Sequence, residues 1–212
     1  LNTSIECSDE QALANAQNLV PIASDNCDKN LSNIVKVAGE FVASSTCATT
    51  GTYTNTWTVT DSCGNTSANF VQTITVIDDV APIVTTISDA LNHTLQCNNT
   101  SGITAALEEV PTATDNCSAT PTMHLVSDVT TPTTDCANGY SRVRTWNFTD
   151  GCGNTSANFV QTITVIDDVA PIVTTTSGTL NHTLQCNNTS GITSALMEVP
   201  TATDNCSATP TM

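Results

Sequence analysis

The chain has 212 residues, of which 20 are acidic and four basic, giving a formal net charge of −16, and only 4% are aromatic. No basic patch exists to meet phosphates, which excludes a nucleic-acid-binding surface. No run of 18 or more apolar residues is present to span a membrane as a helix.

Self-similarity organises the rest. Thr60–Met123 recurs as Thr149–Met212 at an offset of 89, with six differences: Ser62/Gly151, Ile87/Thr176, Asp89/Gly178, Ala90/Thr179, Ala105/Ser194 and Glu108/Met197. The first 60 residues are a more diverged copy: LNTSIEC (Leu1–Cys7) matches LNHTLQC (Leu91–Cys97), and PIASDNC (Pro21–Cys27) matches PTATDNC (Pro111–Cys117). Such a period signals tandem units, here residues 1–79, 80–168 and 169–212. The chain begins inside one unit and stops inside another, and no leader peptide is visible before Leu1, which reads as a stretch of a longer polymer.

In chain order, Asp9–Gln17 (DEQALANAQ) predicts a short helix in the first unit, against weak helical signals elsewhere. Trp57 and Val59 lie on one face of a strand. Glu109–Thr114 and Met123–Val129 predict further strands. Ser141–Thr149 (SRVRTWNFT) places Arg144, Trp146 and Phe148 on one side, with Trp146 and Phe148 inward. The turn Asp150–Asn154 (DGCGN) leads to the clearest strand, Phe159–Ile166 (FVQTITVI), where Ile163 and Val165 share one face and Thr162 and Thr164 the other. Threonine makes up about a fifth of the residues, and Thr and Val favour strands. Turn residues punctuate the chain about every ten positions. The fold class is all-β, tandem immunoglobulin-like sandwiches arranged end to end; the strand order resembles a seven-strand sandwich.

Small units with little apolar content need staples, and the chain has ten cysteines. Cys7, Cys27, Cys47 and Cys63 are followed by Cys97, Cys117, Cys136 and Cys152, then Cys186 and Cys206. None has the C-x-x-C spacing of zinc or redox sites, so the set reads as disulfides made in an oxidising compartment. Four cysteines allow three connectivities. The sandwich topology puts the second and fourth of each unit at the end where the chain enters it, and the first and third nearer the other end. This favours Cys7–Cys47, Cys27–Cys63, Cys97–Cys136 and Cys117–Cys152, leaving Cys186 and Cys206 without partners. Each loop of about 35–40 residues contributes on the order of 3–4 kcal/mol in the chain-entropy model.

The run PTATDNC … TDGCGNTS … FVQTITVIDDVAP resembles the hyalin-repeat (HYR) group of immunoglobulin-like modules. It is most similar to the cysteine-rich version repeated in giant surface adhesins of gliding and marine Bacteroidetes-type bacteria. The resemblance implies an extracellular, non-enzymatic role in adhesion or spacing, export by the type IX route and attachment at the cell surface. Animal modules of this group usually carry two cysteines, so their ligand-binding roles do not carry over.

An acidic pair closes each of the first two units. Asp78–Asp79 and Asp167–Asp168 each precede Ala-Pro, similar to the acidic linkers between cadherin domains, where calcium stiffens the chain. The sandwich topology brings Asp78 and Asp79 beside Asp115–Asn116 and Asp150 of the next unit, with Asp204 and Asn205 serving Asp167 and Asp168. Calcium takes six to eight oxygen ligands, so Ca2+ is the expected cofactor at these boundaries. The bland reading is that Asp-Asn and Asp-Gly simply make turns.

Other motifs carry little. His93 and His182 read as solvent-facing strand residues. Sequons at Asn2, Asn65, Asn92, Asn98, Asn99, Asn116, Asn147 and Asn154 arise easily in a Thr- and Asn-rich chain. No Ser-His-Asp set, paired-carboxylate cleft or phosphate loop is present, so no catalytic residue and no enzyme are expected. The expected function is a semi-rigid stalk or multivalent adhesive array whose main partners are neighbouring repeats of the same chain. Two alternatives remain: loops that bind surface glycans or proteins, and a filament subunit completed by strands from other copies of itself.

Overall fold

A computed structural model describes every residue except Asn30, Asp135, Ala137, Ala208, Thr209, Thr211 and Met212. In chain order the elements are β1 (Thr3–Glu6), α1 (Glu10–Gln17), β2 (Ile34–Val37), β3 (Val42–Ala43), β4 (Gly51–Val59), β5 (Phe70–Ile77), β6 (Ile83–Val84) and β7 (His93–Gln96). There follow α2 (Thr100–Glu108), β8 (Ala113–Thr114), β9 (Thr122–Pro132), β10 (Tyr140–Thr149), β11 (Phe159–Ile166), β12 (Ile172–Val173), α3 (Thr189–Met197) and β13 (Ala202–Thr203). The all-β class holds, with one short helix added to each repeat.

The first sheet runs β1-β5-β4-β2, with β3 also paired to β4. Its edge strand β1 lies parallel to β5, with Thr3 opposite Ile74 and Glu6 opposite Ile77. The next repeat has the same plan in β7-β11-β10-β9, with β7 parallel to β11. The short strands β6 and β8 form a separate antiparallel pair, as do β12 and β13. By density of contacts the chain falls into two units. One holds Leu1–Ile87, Pro111–Val126 and Thr145–Phe159; the other holds Ser88–Val110, Ser127–Arg144 and Val160–Met212.

The sequence foresaw α1 but not α2 or α3. Each helix begins with a side-chain cap: Asp9 Oδ1 accepts from Ala12 N at 2.8 Å, and Asn99 Oδ1 accepts from Gly102 N at 3.0 Å. Such caps stabilise a helix start by about 1 kcal/mol. Gly102 sits inside α2 because a Cβ there would come within 2.6 Å of the capping Asn99 side chain. The predicted strand Glu109–Thr114 is correspondingly cut to Ala113–Thr114, and Glu109 instead ends α2 in extended conformation.

Both cores are thin. In the first, Ala16 of α1 packs on Ile5 and Ile74, with Ala12, Leu13 and Tyr53 around them. In the second, Ala106 of α2 packs on Ile163 and Val165, flanked by Leu95, Ile103 and Leu107. Trp146 and Phe148 are buried, as their alternation predicts.

A glutamine does the work an apolar side chain does elsewhere. Gln161, fully buried on β11, donates from Nε2 to the carbonyls of Leu91 at 2.8 Å and Ala106 at 3.0 Å. Its Oε1 accepts from Arg144 at 3.1 Å. Gln72 repeats this arrangement in the first repeat, donating to Leu1 O and Ala16 O, with Asn55 where the second repeat has Arg144. The amide thus ties strand, helix end and lead-in segment together. Gln161→Leu strands these partners without hydrogen bonds. We expect it to lower unfolding free energy by on the order of 3 kcal/mol, measured by guanidinium denaturation followed through Trp fluorescence.

Candidate metal centre

Ile77 is the last residue of β5, and three features converge beside it. Cys7 follows β1 and donates its N–H to Ile77 O at 2.8 Å. Cys47 lies in the β3–β4 hairpin, whose Gly51 sits opposite Val76. Asp78 follows directly. The first and third cysteines therefore share one end of the repeat, as the sequence implied.

The second and fourth also share an end. Asp115 Oδ1 accepts from the N–H groups of Cys117 at 3.0 Å and Ser118 at 2.6 Å, which shapes the loop after β8. Asp150 Oδ1 accepts from the N–H groups of Cys152, Gly153 and Asn154 at 2.7–2.9 Å, and its Oδ2 accepts from Asn154 Nδ2 at 2.8 Å. This tight turn requires φ +97° at Gly153, which glycine adopts without strain. Gly151 N donates to Ser118 Oγ at 3.1 Å, joining the two loops.

The partners, however, differ from those expected. Cysteines do not pair within a repeat: Cys7 bonds Cys117, Cys47 bonds Cys152 and Cys97 bonds Cys206, with Cα–Cα distances of 5.9, 4.8 and 5.8 Å. The pairings Cys7–Cys47, Cys27–Cys63, Cys97–Cys136 and Cys117–Cys152 are corrected accordingly, and Cys206, expected to lack a partner, has one. The physical reason is that the two cysteines at one end of a repeat face those of the next repeat rather than each other. First bonds second of the following copy, and third bonds fourth. Cys27, Cys63, Cys136 and Cys186 are unpaired, and each occupies a position whose counterpart by this rule is absent from the 212 residues. Closing loops of 105–110 residues contributes about 4.7 kcal/mol per bond in the chain-entropy model, more than the short loops first expected.

The bonds bring carboxylates together. One oxygen each from Asp78, Asp115 and Asp150 lies within 4.8 Å of the others. Glu6 also approaches Asp78 within 4.8 Å, on the side of the Cys7–Cys117 bridge, while Cys47 and Cys152 flank it on another. Asp78 is 8% exposed, and both its carboxylate oxygens are shielded, with only the Val80 backbone N–H nearby and outside regular hydrogen-bond geometry; Asp115 Oδ2 is shielded and unpartnered. Burial, then the charges of Asp150 and Asp115, push the Asp78 carboxyl above its ordinary pKa. Asp150 goes the other way: burial pushes it up, but hydrogen bonds from Asn154, Cys152 and Gly153 outweigh that and leave it lowered. An oxygen-only set of this kind suits a hard divalent cation.

Of the residues singled out from sequence, Asp78, Asp115 and Asp150 meet. Asp79 is exposed, with only its backbone N–H near Glu6 at 3.5 Å. The Asn116 amide donates to Glu6 Oε1 at 2.9 Å and Ser8 Oγ at 3.0 Å, outside the cluster. In the other unit Asp167 lies beside the Cys97–Cys206 bridge, Asp204 Oδ2 and Asn205 Oδ1 are shielded and unpartnered, and Asp168 accepts from Gln96. Glu6 was missed, because its counterpart Gln96 is neutral. His93 is half-buried and meets Glu109 at 2.7 Å.

Residues 2–76 and 85–165 match the family described as "HYR-like domain with 4 cysteines". None of the curated proteins matches the chain. Among solved structures, similar ones include mouse clustered PcdhgC3 EC1-3 (15% identity, TM-score 0.29, 59% of this chain and 46% of that one). The D00-D0 domain of Intimin (15%, 0.23, 69% and 89%) and the fibronectin(III)-like modules of Clostridium thermocellum CbhA (15%, 0.22, 68% and 82%) are others. The chain thus spans just under half of the PcdhgC3 fragment. The tandem immunoglobulin-like class stands on the family match. Disulfide-rich modules of this kind fit an extracellular setting, and no helix among the described residues is long and apolar enough to cross a membrane.

Peptide mapping without reduction should recover cross-linked fragments holding Cys7 with Cys117, Cys47 with Cys152 and Cys97 with Cys206. Iodoacetamide applied to the folded protein should label Cys27, Cys63, Cys136 and Cys186. A fragment joining Cys7 to Cys47 would refute this pairing.

Proposed function

The chain belongs to the HYR-like domains with 4 cysteines, and from that premise we propose that it is a non-enzymatic structural region of a long extracellular surface adhesin or filament. Its role is that of a semi-rigid, tension-bearing stalk. The sequence resemblance points to the giant surface proteins of Bacteroidetes-type bacteria, with type IX export and a part in adhesion during gliding.

The observation that carries this reading is the bonding of each repeat to its successor through first-to-second and third-to-fourth cysteines. Catalysis and ligand capture require no such pattern, whereas a string of small, thin-cored modules under tension does. Modules held only by apolar contacts unfold one after another when pulled, whereas a covalent bridge passes the load around them. The two Trp side chains, the best platforms for sugar rings, are buried at 2% and 1% exposure, which weighs against capture of glycans through exposed Trp.

The pairing sets a ceiling on extension. With bridges intact, the shortest covalent path runs from Leu1 to Cys7, across to Cys117, back to Cys97, across to Cys206 and on to Met212. That is about 32 peptide units, or about 120 Å including the bridges, against about 740 Å for the open chain. Pairing within repeats leaves about 500 Å. Single-molecule pulling from the two termini should therefore show no lengthening beyond about 120 Å until a reductant is added. Lengthening well past that limit under oxidising conditions would remove the basis for a tension-bearing role.

A further inference from the structure

We infer that Asp78, Asp115 and Asp150 form a calcium-binding site, with Glu6 at its margin. The first ground is geometric. Three carboxylate oxygens lie within 4.8 Å of one another, and no ion pair among the described residues neutralises any of them: the acidic partners in those pairs are Glu109, Asp128 and Glu198. Like charges at such spacing repel strongly outside bulk water.

The second ground is independent of the clustering. Asp78 is 92% buried, and neither of its carboxylate oxygens has a donor in regular hydrogen-bond geometry; only the Val80 backbone N–H comes near. A buried carboxylate left unpaired costs several kcal/mol, so native folds give such groups a donor, a counter-charge or a metal. Its neighbour Asp150, buried to the same extent, accepts four hydrogen bonds from its own turn. The difference is informative: the turn explains Asp150, whereas the single Val80 contact does not offset the burial of Asp78. Asp115 divides the two roles, spending Oδ1 on its loop while Oδ2 is shielded and unpartnered. The free oxygens of Asp78 and Asp115 are thus the ones available to an ion.

The donor set selects the metal. Every nearby sulfur, from Cys7, Cys117, Cys47 and Cys152, is committed to a disulfide, which removes the thiolates that zinc or copper would choose. What remains is carboxylate oxygen, with water to complete the shell. Calcium accepts an irregular set of six to eight oxygens, whereas magnesium demands a near-ideal octahedron. Three carboxylates from separate segments, one of them free at both oxygens, fit the former. The site joins Asp78 of one repeat to Asp115 and Asp150 of the next. It does not rest on the stalk reading and stands or falls by itself.

The test uses the whole oxidised chain, stripped with chelator and titrated with CaCl2 by calorimetry, with MgCl2 as comparison. One calcium ion per chain should bind with a dissociation constant below 1 mM, about −4 kcal/mol or better, more tightly than magnesium, and raise the melting temperature. Asp78→Asn, which keeps shape and removes charge, should weaken binding at least tenfold, and Asp79→Asn should leave it unchanged. If Asp78→Asn fails to fold, Asp115→Asn should weaken binding with the disulfide map intact. Absence of calcium binding at 10 mM, or equal binding by parent and both variants, overturns the assignment.

Discussion

Two sulfur bridges hold Cys7 and Cys47 against residues 110 and 105 positions later in the chain, and Asp78, Asp115 and Asp150 meet beside them. The buried clusters are a few side chains each, worth about 1.5–3 kcal/mol per fully buried aliphatic residue, and much of the strand surface is threonine. Covalent ties remove the need for a broad greasy interface. They also allow a carboxylate to sit where hydrophobic packing alone could not keep it.

The interior solves its shortage of apolar material with amides. Gln72 and Gln161 are fully buried, yet each satisfies carbonyls left open at a helix end and in the segment leading into the repeat. Arg144 extends the idea: its guanidinium donates to Leu107 O, Glu109 O and Gln161 Oε1. Desolvation lowers its pKa without threatening its charge. Specific hydrogen bonds thus fix the helix on the sheet, a placement that a small, loosely packed core would leave ill-defined.

Much of this was legible in the residues. The period of 89 follows from self-similarity, the strand Phe159–Ile166 and the inward Trp146 from alternation, and the convergence of cysteines at each end from the resemblance to a seven-strand sandwich. The pairing was not, because a cysteine at the end of a repeat has one candidate within its own copy and another in the next, and a repeated spacing pattern is compatible with either choice. Helices α2 and α3 escaped because glycine and threonine disguise a run whose Ile103, Ala106 and Leu107 do fall at helical spacing, and whose Asn99 is a good cap. Glu6 escaped because it lies 72 positions from Asp78 and its equivalent, Gln96, has no charge.

The loops closed by the three bridges overlap, since Cys7–Cys117 and Cys97–Cys206 together enclose every residue between Cys7 and Cys206. Hydrolysis of any one peptide bond in that span leaves the two fragments joined by sulfur. An attacking protease must cut twice, at suitably placed bonds, before material is shed. In a setting rich in secreted hydrolases, such redundancy keeps a nicked molecule in service.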